Sequence, residues 1–143
     1  MTNAQQEVID SVNGLVKVRV APSPIHGVGV FAMRNIAKGT KMYMTMFPQA
    51  FKIPFGSFGK LYPEVKHLIM ERWPRVVNNE GFMYPDTLLQ AYVNFSFTPN
   101  YDMIDDIALE DISKGEEITE DYRKNNGWEK IYPWIENLKE EEK

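Results

Sequence analysis

The chain has 143 residues, 43% hydrophobic and 13% aromatic, which suits one domain with a single core. Sixteen basic and twenty acidic residues leave a net charge of −4, without the basic excess or basic clusters of a nucleic-acid binder. No cysteine is present, which excludes disulfides, thiolate zinc sites and cysteine nucleophiles; His26 and His67 alone cannot build a histidine-rich metal site.

Residues 1–13 are polar, lack the apolar core of a signal peptide and read as a loose arm or a short helix. No apolar run is long enough to span a membrane. The expected setting is intracellular and soluble: cytoplasm, nucleus, or the interior of a host cell if the source is a virus. In "LVKVRVAPSP", Leu15, Lys17 and Arg19 alternate with Val16, Val18 and Val20, the pattern of a first strand. "IHGVGVF" (25–31) reads as a Gly-x-Gly turn entering a second strand. "NIAKGTKMYMTMF" (35–47) gives a turn at Lys38 and Gly39, then a third, apolar strand. Residues 48–59, rich in Pro, Gly and Phe, read as loop with short extended pieces.

"KLYPEVKHLIMERW" (60–73) predicts a helix with Leu61, Val65, Leu68, Ile69 and Trp73 on one face. Pro63 fits its first turn and Pro74 stops it. A polar loop with Asn78, Asn79 and Gly81 follows, then a helical turn in "DTLLQAY" capped by Asp86. "AYVNFSFTPNY" (91–101) sets Tyr92, Asn94, Ser96 and Thr98 against Val93, Phe95 and Phe97, as in a half-buried strand. Asn94-Phe95-Ser96 also fits a glycosylation acceptor, a reading set aside because no secretory route is visible. A strand is expected around 107–109. The tail "PWIENLKEEEK" can dock Trp134 and Leu138 from one helical face.

"RNIAKGTKM" (34–42) and "EDISKGEEI" (110–118) share the pattern Ile, small, Lys, Gly, two polar, apolar. Each reads as strand, tight turn, strand, with the glycine at positive φ. The whole predicts a mostly β (α+β) fold of many short strands.

The usual enzyme signatures are absent. There is no Walker loop, no third glycine after Gly27 and Gly29, and no His paired with a nucleophile in sequence. The ordered set does point somewhere: Ile25-His26-Gly27-Val28-Gly29-Val30-Phe31; Ile36, Lys38, Gly39; Tyr92-Val93-Asn94-x-Ser96-x-x-Pro99-Asn100; and Lys114-Gly115-Glu116-Glu117-Ile118-Thr119-x-Asp121-Tyr122. It resembles the SET-domain protein lysine methyltransferases, in a compact form without the flanking modules, like the minimal forms of viruses and bacteria. The match covers roughly residues 15–43 and 91–123.

The resemblance implies a single SET-like domain over 1–143. Its parts would be an N-terminal arm (1–13), N-terminal SET strands (15–46), a variable insert with a helix (47–90), C-terminal SET motifs (91–123) and an aromatic, acidic tail (124–143). It implies a SET-type β-clip of small curled sheets with a C-terminal pseudoknot and a few short helices. S-adenosylmethionine would be the methyl donor, without a metal, because the sulfonium is already activated. The donor would be bound by His26, Gly27, Val28, Gly29, Asn94, Phe95, Tyr122 and Trp128. Tyr122 would be catalytic, at the meeting of sulfur, methyl and amine. Tyr92, Glu120 and Tyr43 would line the substrate channel. The partner would be a lysine-containing protein or peptide, with the acidic balance mildly favouring a basic one; no nucleic acid or membrane is expected, and a dimer is compatible.

The chain departs from the family pattern at several positions. Phe95 stands where the family has histidine. Glu120 stands where it has an aromatic residue two before the tyrosine. The Glu-Tyr-x-Gly after Gly39 is missing, leaving Tyr43 or Tyr84 to substitute. Two readings of Glu120 stay open: a carboxylate holding an ammonium, which opposes deprotonation unless it also takes the proton, or a side chain facing solvent while another aromatic fills the channel. Trp128 suits a lid over the donor and Trp134 an anchor for the tail. The departures also motivate the alternative of a catalytically inactive SET-like binding module.

Overall fold

The computed structural model describes residues 2–44, 51–71, 76–84 and 89–138. The chain opens with α1 (Asn3–Leu15). Thr2 caps it reciprocally with Gln5: the Gln5 amide donates to Thr2 Oγ1 at 3.1 Å and the Thr2 amide to Gln5 Oε1 at 2.8 Å. The arm is thus a helix of 13 residues. It takes Leu15 out of the first strand, since docking of Ile9, Val12 and Val16 outweighs the local alternation.

Among the described residues, nine short strands follow, in three sheets. β1 (Val18–Pro22), β2 (Val28–Ala32), β9 (Glu117–Glu120) and β6 (Asn94–Phe95) form the first, in the order β1-β2-β9-β6. β6 runs parallel to β9, pairing Asn94 with Thr119 and Phe95 with Glu120. β3 (Phe51–Pro54), β5 (Gly81–Tyr84) and β4 (Val76–Val77) form the second sheet. β7 (Tyr101–Asp102) and β8 (Ile107–Ala108) form the third. With α2 (Pro63–Glu71), α3 (Trp128–Ile131) and a few 3-10 turns, this is the mostly β arrangement of small sheets expected from the sequence.

Two apolar clusters support these sheets. The first gathers Val18, Val30, Ile36, Met42, Met44, Val93, Tyr101, Ile112 and Ile118 beneath the four-stranded sheet. The second gathers α1, Ile53, Leu61, Val65, Leu68 and Ile69. The expected helix face is therefore buried from Leu61 to Ile69; Trp73 and Pro74, like the Asp86 cap, lie outside the described residues.

The two similar motifs meet each other. Ile36 and Ile112 exchange backbone hydrogen bonds of 2.7 and 2.8 Å. Lys38 N donates to Asp111 Oδ1 and Lys114 N to Asn35 Oδ1, both at 2.9 Å. Gly39 and Gly115, at φ +86 and +90, donate to Ala108 and Ala32 carbonyls. Each contact of one turn is repeated by the other, so the copies form a local two-fold pair.

Three expectations change. Residues 40–44 make no named strand: Lys41 forms one bridge to Ile107, and Met44 N is held by the buried Asp106 carboxylate at 3.0 and 3.2 Å. Asp106 also accepts from Tyr101 Oη at 2.6 Å, so a polar knot replaces strand pairing here. β3 is the expected extended piece of the 48–59 loop, but a 3-10 helix follows it, and the Asn78-Asn79 loop is a hairpin turn with both residues left-handed (φ 54 and 55). Finally, "AYVNFSFTPNY" is not one alternating strand. Tyr92 ends a 3-10 turn, Asn94 and Phe95 form the short, buried β6, and Tyr101 already belongs to β7.

Candidate active site

Asn94 is buried because of what its amide holds. Nδ2 lies 2.8 Å from Glu117 Oε2, 3.0 Å from Val28 O, and 3.2 Å from both Ser23 Oγ and His26 O. An amide nitrogen has two protons, so acceptors outnumber donors around it. Ser23 Oγ lies 2.8 Å from each Glu117 oxygen and orders that carboxylate. Gly29 makes the approach feasible: a Cβ there would sit 2.3 Å from Glu117 Oε2 and 3.0 Å from Asn94 Nδ2. Gly27, at φ +45, turns the chain so that the His26 and Val28 carbonyls face the same amide.

Beside this cluster opens a cavity of about 580 Å³, lined by Ile25, His26, Asn94, Phe95, Ser96, Phe97, Tyr122, Trp134 and Leu138. The size is that of a small-molecule site. Its wall is aromatic: Phe95 stands edge-on to Phe97 (4.8 Å between centroids) and to Trp134 (5.6 Å), and lies 5.6 Å from Tyr122. The phenylalanine in place of histidine thus packs within a continuous ring cluster.

Tyr122 follows β9 at the start of a 3-10 turn capped by the Asp121 carboxylate, which accepts from the Arg123 amide. Its hydroxyl donates to Val93 O at 2.5 Å. Burial, and then the charges of Glu120, Tyr132 and Glu117, push the phenol up to about 12, so it stays protonated at neutral pH. Glu120 is 3% exposed, which removes the solvent-facing reading. Its Oε1 accepts from Gln90 Nε2 at 3.0 Å. Burial lifts its carboxyl to about 7, against the Gln90 hydrogen bond and the Lys124 charge, while Asp102 adds to the rise.

The structure therefore gathers His26, Gly27, Val28, Gly29, Asn94, Phe95 and Tyr122 at one place. Trp128 is not among the cavity's lining residues; Trp134 and Leu138 are, because the 3-10 turn Pro133–Asn137 carries the tail back across the opening. Of the two tryptophans, Trp134 is the one that lines the cavity. Tyr92 is 44% exposed on its turn. Tyr43 lies under the Lys17 ammonium (5.8 Å to the ring centroid), and Tyr84 packs on the second apolar cluster. Sequence reasoning missed Ser23, Glu117, Ser96, Phe97 and Gln90. Ser23 carried a weak signal, lying between two prolines that stiffen it.

The family model for the SET domain matches residues 27–123. The chain is a member of the SET-domain family. A crystal structure of a histone methyltransferase candidate from Plasmodium falciparum is also similar, at 19% identity over 78% of this chain and 96% of that one, with a TM-score of 0.36. No curated protein matches the sequence. Members of this family are generally lysine methyltransferases. Among the described residues of this SET domain, no group of three or more His, Asp or Glu gathers as a metal site, and no helix is long and apolar enough to cross a membrane.

Proposed function

We propose that this SET domain transfers a methyl group from S-adenosylmethionine to the ε-amine of a lysine in a protein or peptide. The observation that carries the reading is the surplus of acceptors around Asn94 Nδ2 at the edge of an aromatic cavity. The ammonium of an amino acid end fits there, where it would meet the His26 and Val28 carbonyls and Glu117. Phe95, Phe97 and Trp134 offer apolar faces to a flat heterocycle and exclude water. Bound there, the donor would supply a methyl already activated by positive sulfur, so the protein's main task is alignment.

Tyr122 orients the reacting groups. Its proton is held by Val93 O, which turns the hydroxyl lone pairs toward the cavity as fixed acceptors. Tyr132 packs against its ring in a tilted arrangement, 4.8 Å between centroids. The substrate would be a lysine-bearing protein or peptide, a basic one being favoured by the net charge of −4.

The test is transfer of label from S-adenosylmethionine to a library of lysine peptides, wild type against Tyr122→Phe. Label on lysine that falls at least about tenfold in the variant supports the reading. Calorimetric binding of the donor with no transfer by the wild type would leave a binding module instead.

A further inference from the structure

The substrate lysine must lose a proton before it can attack, and the Tyr122 hydroxyl is already committed as a donor to Val93 O. With a free amine pKa of about 10.4, roughly one lysine in a thousand is neutral near pH 7.4. Another group has to take the proton or await the rare neutral amine.

We propose that Glu120 takes the proton from the substrate ammonium, through its Oε2 atom. The inference rests on the lysine-transfer reading above. Glu120 Oε1 is occupied by Gln90 Nε2, but Oε2 is buried and has no hydrogen-bond partner among the described residues. An orphaned carboxyl oxygen at 3% residue exposure is a costly feature that an incoming N–H donor would satisfy. It lies two residues before Tyr122, close enough for its charge to act on that phenol.

Among the described residues, the cation that acts on Glu120 is Lys124. Gln90 approaches from the 3-10 turn before β6; Tyr101 and Asp102 approach from β7; Tyr122 and Lys124 approach from the turn after β9. Lys124, the cation among them, is spent on Asp102 at 3.1 Å. In the step itself, a substrate Nζ–H bond breaks and an Oε2–H bond forms. The electron pair stays on nitrogen as the attacking lone pair, and the proton later leaves to water. The carboxyl's elevated ionisation, at about 7, matches a base that must both accept and release a proton near neutrality.

The experiment measures kcat/KM for a lysine peptide from pH 6 to pH 10 in the full chain. Wild type should rise through an inflection near 7. Glu120→Gln should lose that inflection, fall about a hundredfold at neutral pH, and recover toward the wild type as the peptide amine deprotonates in solution. Gln90→Leu removes a hydrogen bond that favours the ionised carboxyl, so its inflection should move to higher pH; this variant carries the test if Glu120→Gln fails to fold. A Glu120→Gln profile equal to wild type, or a Gln90→Leu inflection that stays in place, overturns the role of Glu120 while transfer itself stands. A wild type that methylates no lysine overturns the transfer reading and this inference with it.

Discussion

Glu120→Gln also has a stability consequence that needs no substrate. The Glu120 carboxyl ionises at about 7 when folded, against an ordinary 4.5, because burial disfavours its charge. A carboxyl raised in the folded state holds its proton more tightly there than in the unfolded chain. Its contribution to stability is complete below about pH 4.5 and is lost as pH rises through 7. At about 1.4 kcal/mol per pH unit the displacement corresponds to about 3 kcal/mol, and solvent relaxation around the carboxylate brings the range to about 1.5–3 kcal/mol. Glutamine keeps the shape and the acceptor for Gln90 but never ionises. In a domain of this size the variant should melt about 5–10 °C above wild type at pH 8.5 and close to it at pH 4.5. Thermal unfolding followed by circular dichroism across that range checks this. A difference that is flat with pH would refute the burial argument for Glu120.

Two glycines give opposite predictions. At Gly81 an alanine Cβ would sit 2.3 Å from Ile53 O and 3.0 Å from Pro54 Cα, both backbone atoms of β3, so Gly81→Ala should cost about 2 kcal/mol or more in urea unfolding. At Gly29 the obstructing atoms are ends of the Glu117 and Asn94 side chains, which can swing away by giving up hydrogen bonds. Gly29→Ala should therefore lose only about 1–2 kcal/mol of stability, while calorimetric donor affinity falls at least about tenfold. Trp134→Ala should weaken donor binding about tenfold, and Trp128→Ala should leave it unchanged, because only Trp134 lines the cavity; equal losses would contradict the tail's placement.

The parts legible in the sequence were those where local chemistry and tertiary role agree. The Lys-Gly turns needed positive φ and had glycine, so both were readable, but that the copies meet through Ile36 and Ile112 was not. The helix face from Leu61 to Ile69 was legible because its period matches its burial. The Asn94 segment misled because alternation suggests water on the polar side, whereas Asn94 and Asn100 turn inward. Asn100 bridges Glu117 O and Thr119 N at 2.8 Å each, stitching the segment to β9. Such long-range pairing leaves no local trace. The placement of Trp134 has the same origin: nearness in sequence to Tyr122 favoured Trp128, but it is Trp134, in the turn at Pro133, whose ring reaches Phe95.

At the site, His26 to Gly29, Asn94, Phe95 and Tyr122 were readable because those residues stand in motifs. Glu117 and Ser23 were not, since an ordinary Glu in a turn-strand segment and a Ser between prolines show no sign that they meet. Their meeting at Asn94 depends on β2 and β9 being neighbours.

The most direct measurement is mass spectrometry of a lysine peptide after incubation with the full chain and S-adenosylmethionine, for wild type and Tyr122→Phe. The account predicts methyl groups on the lysine Nζ with wild type and at least about tenfold fewer with the variant. Methyl groups on another residue, or none from a wild type that binds the donor, would contradict it.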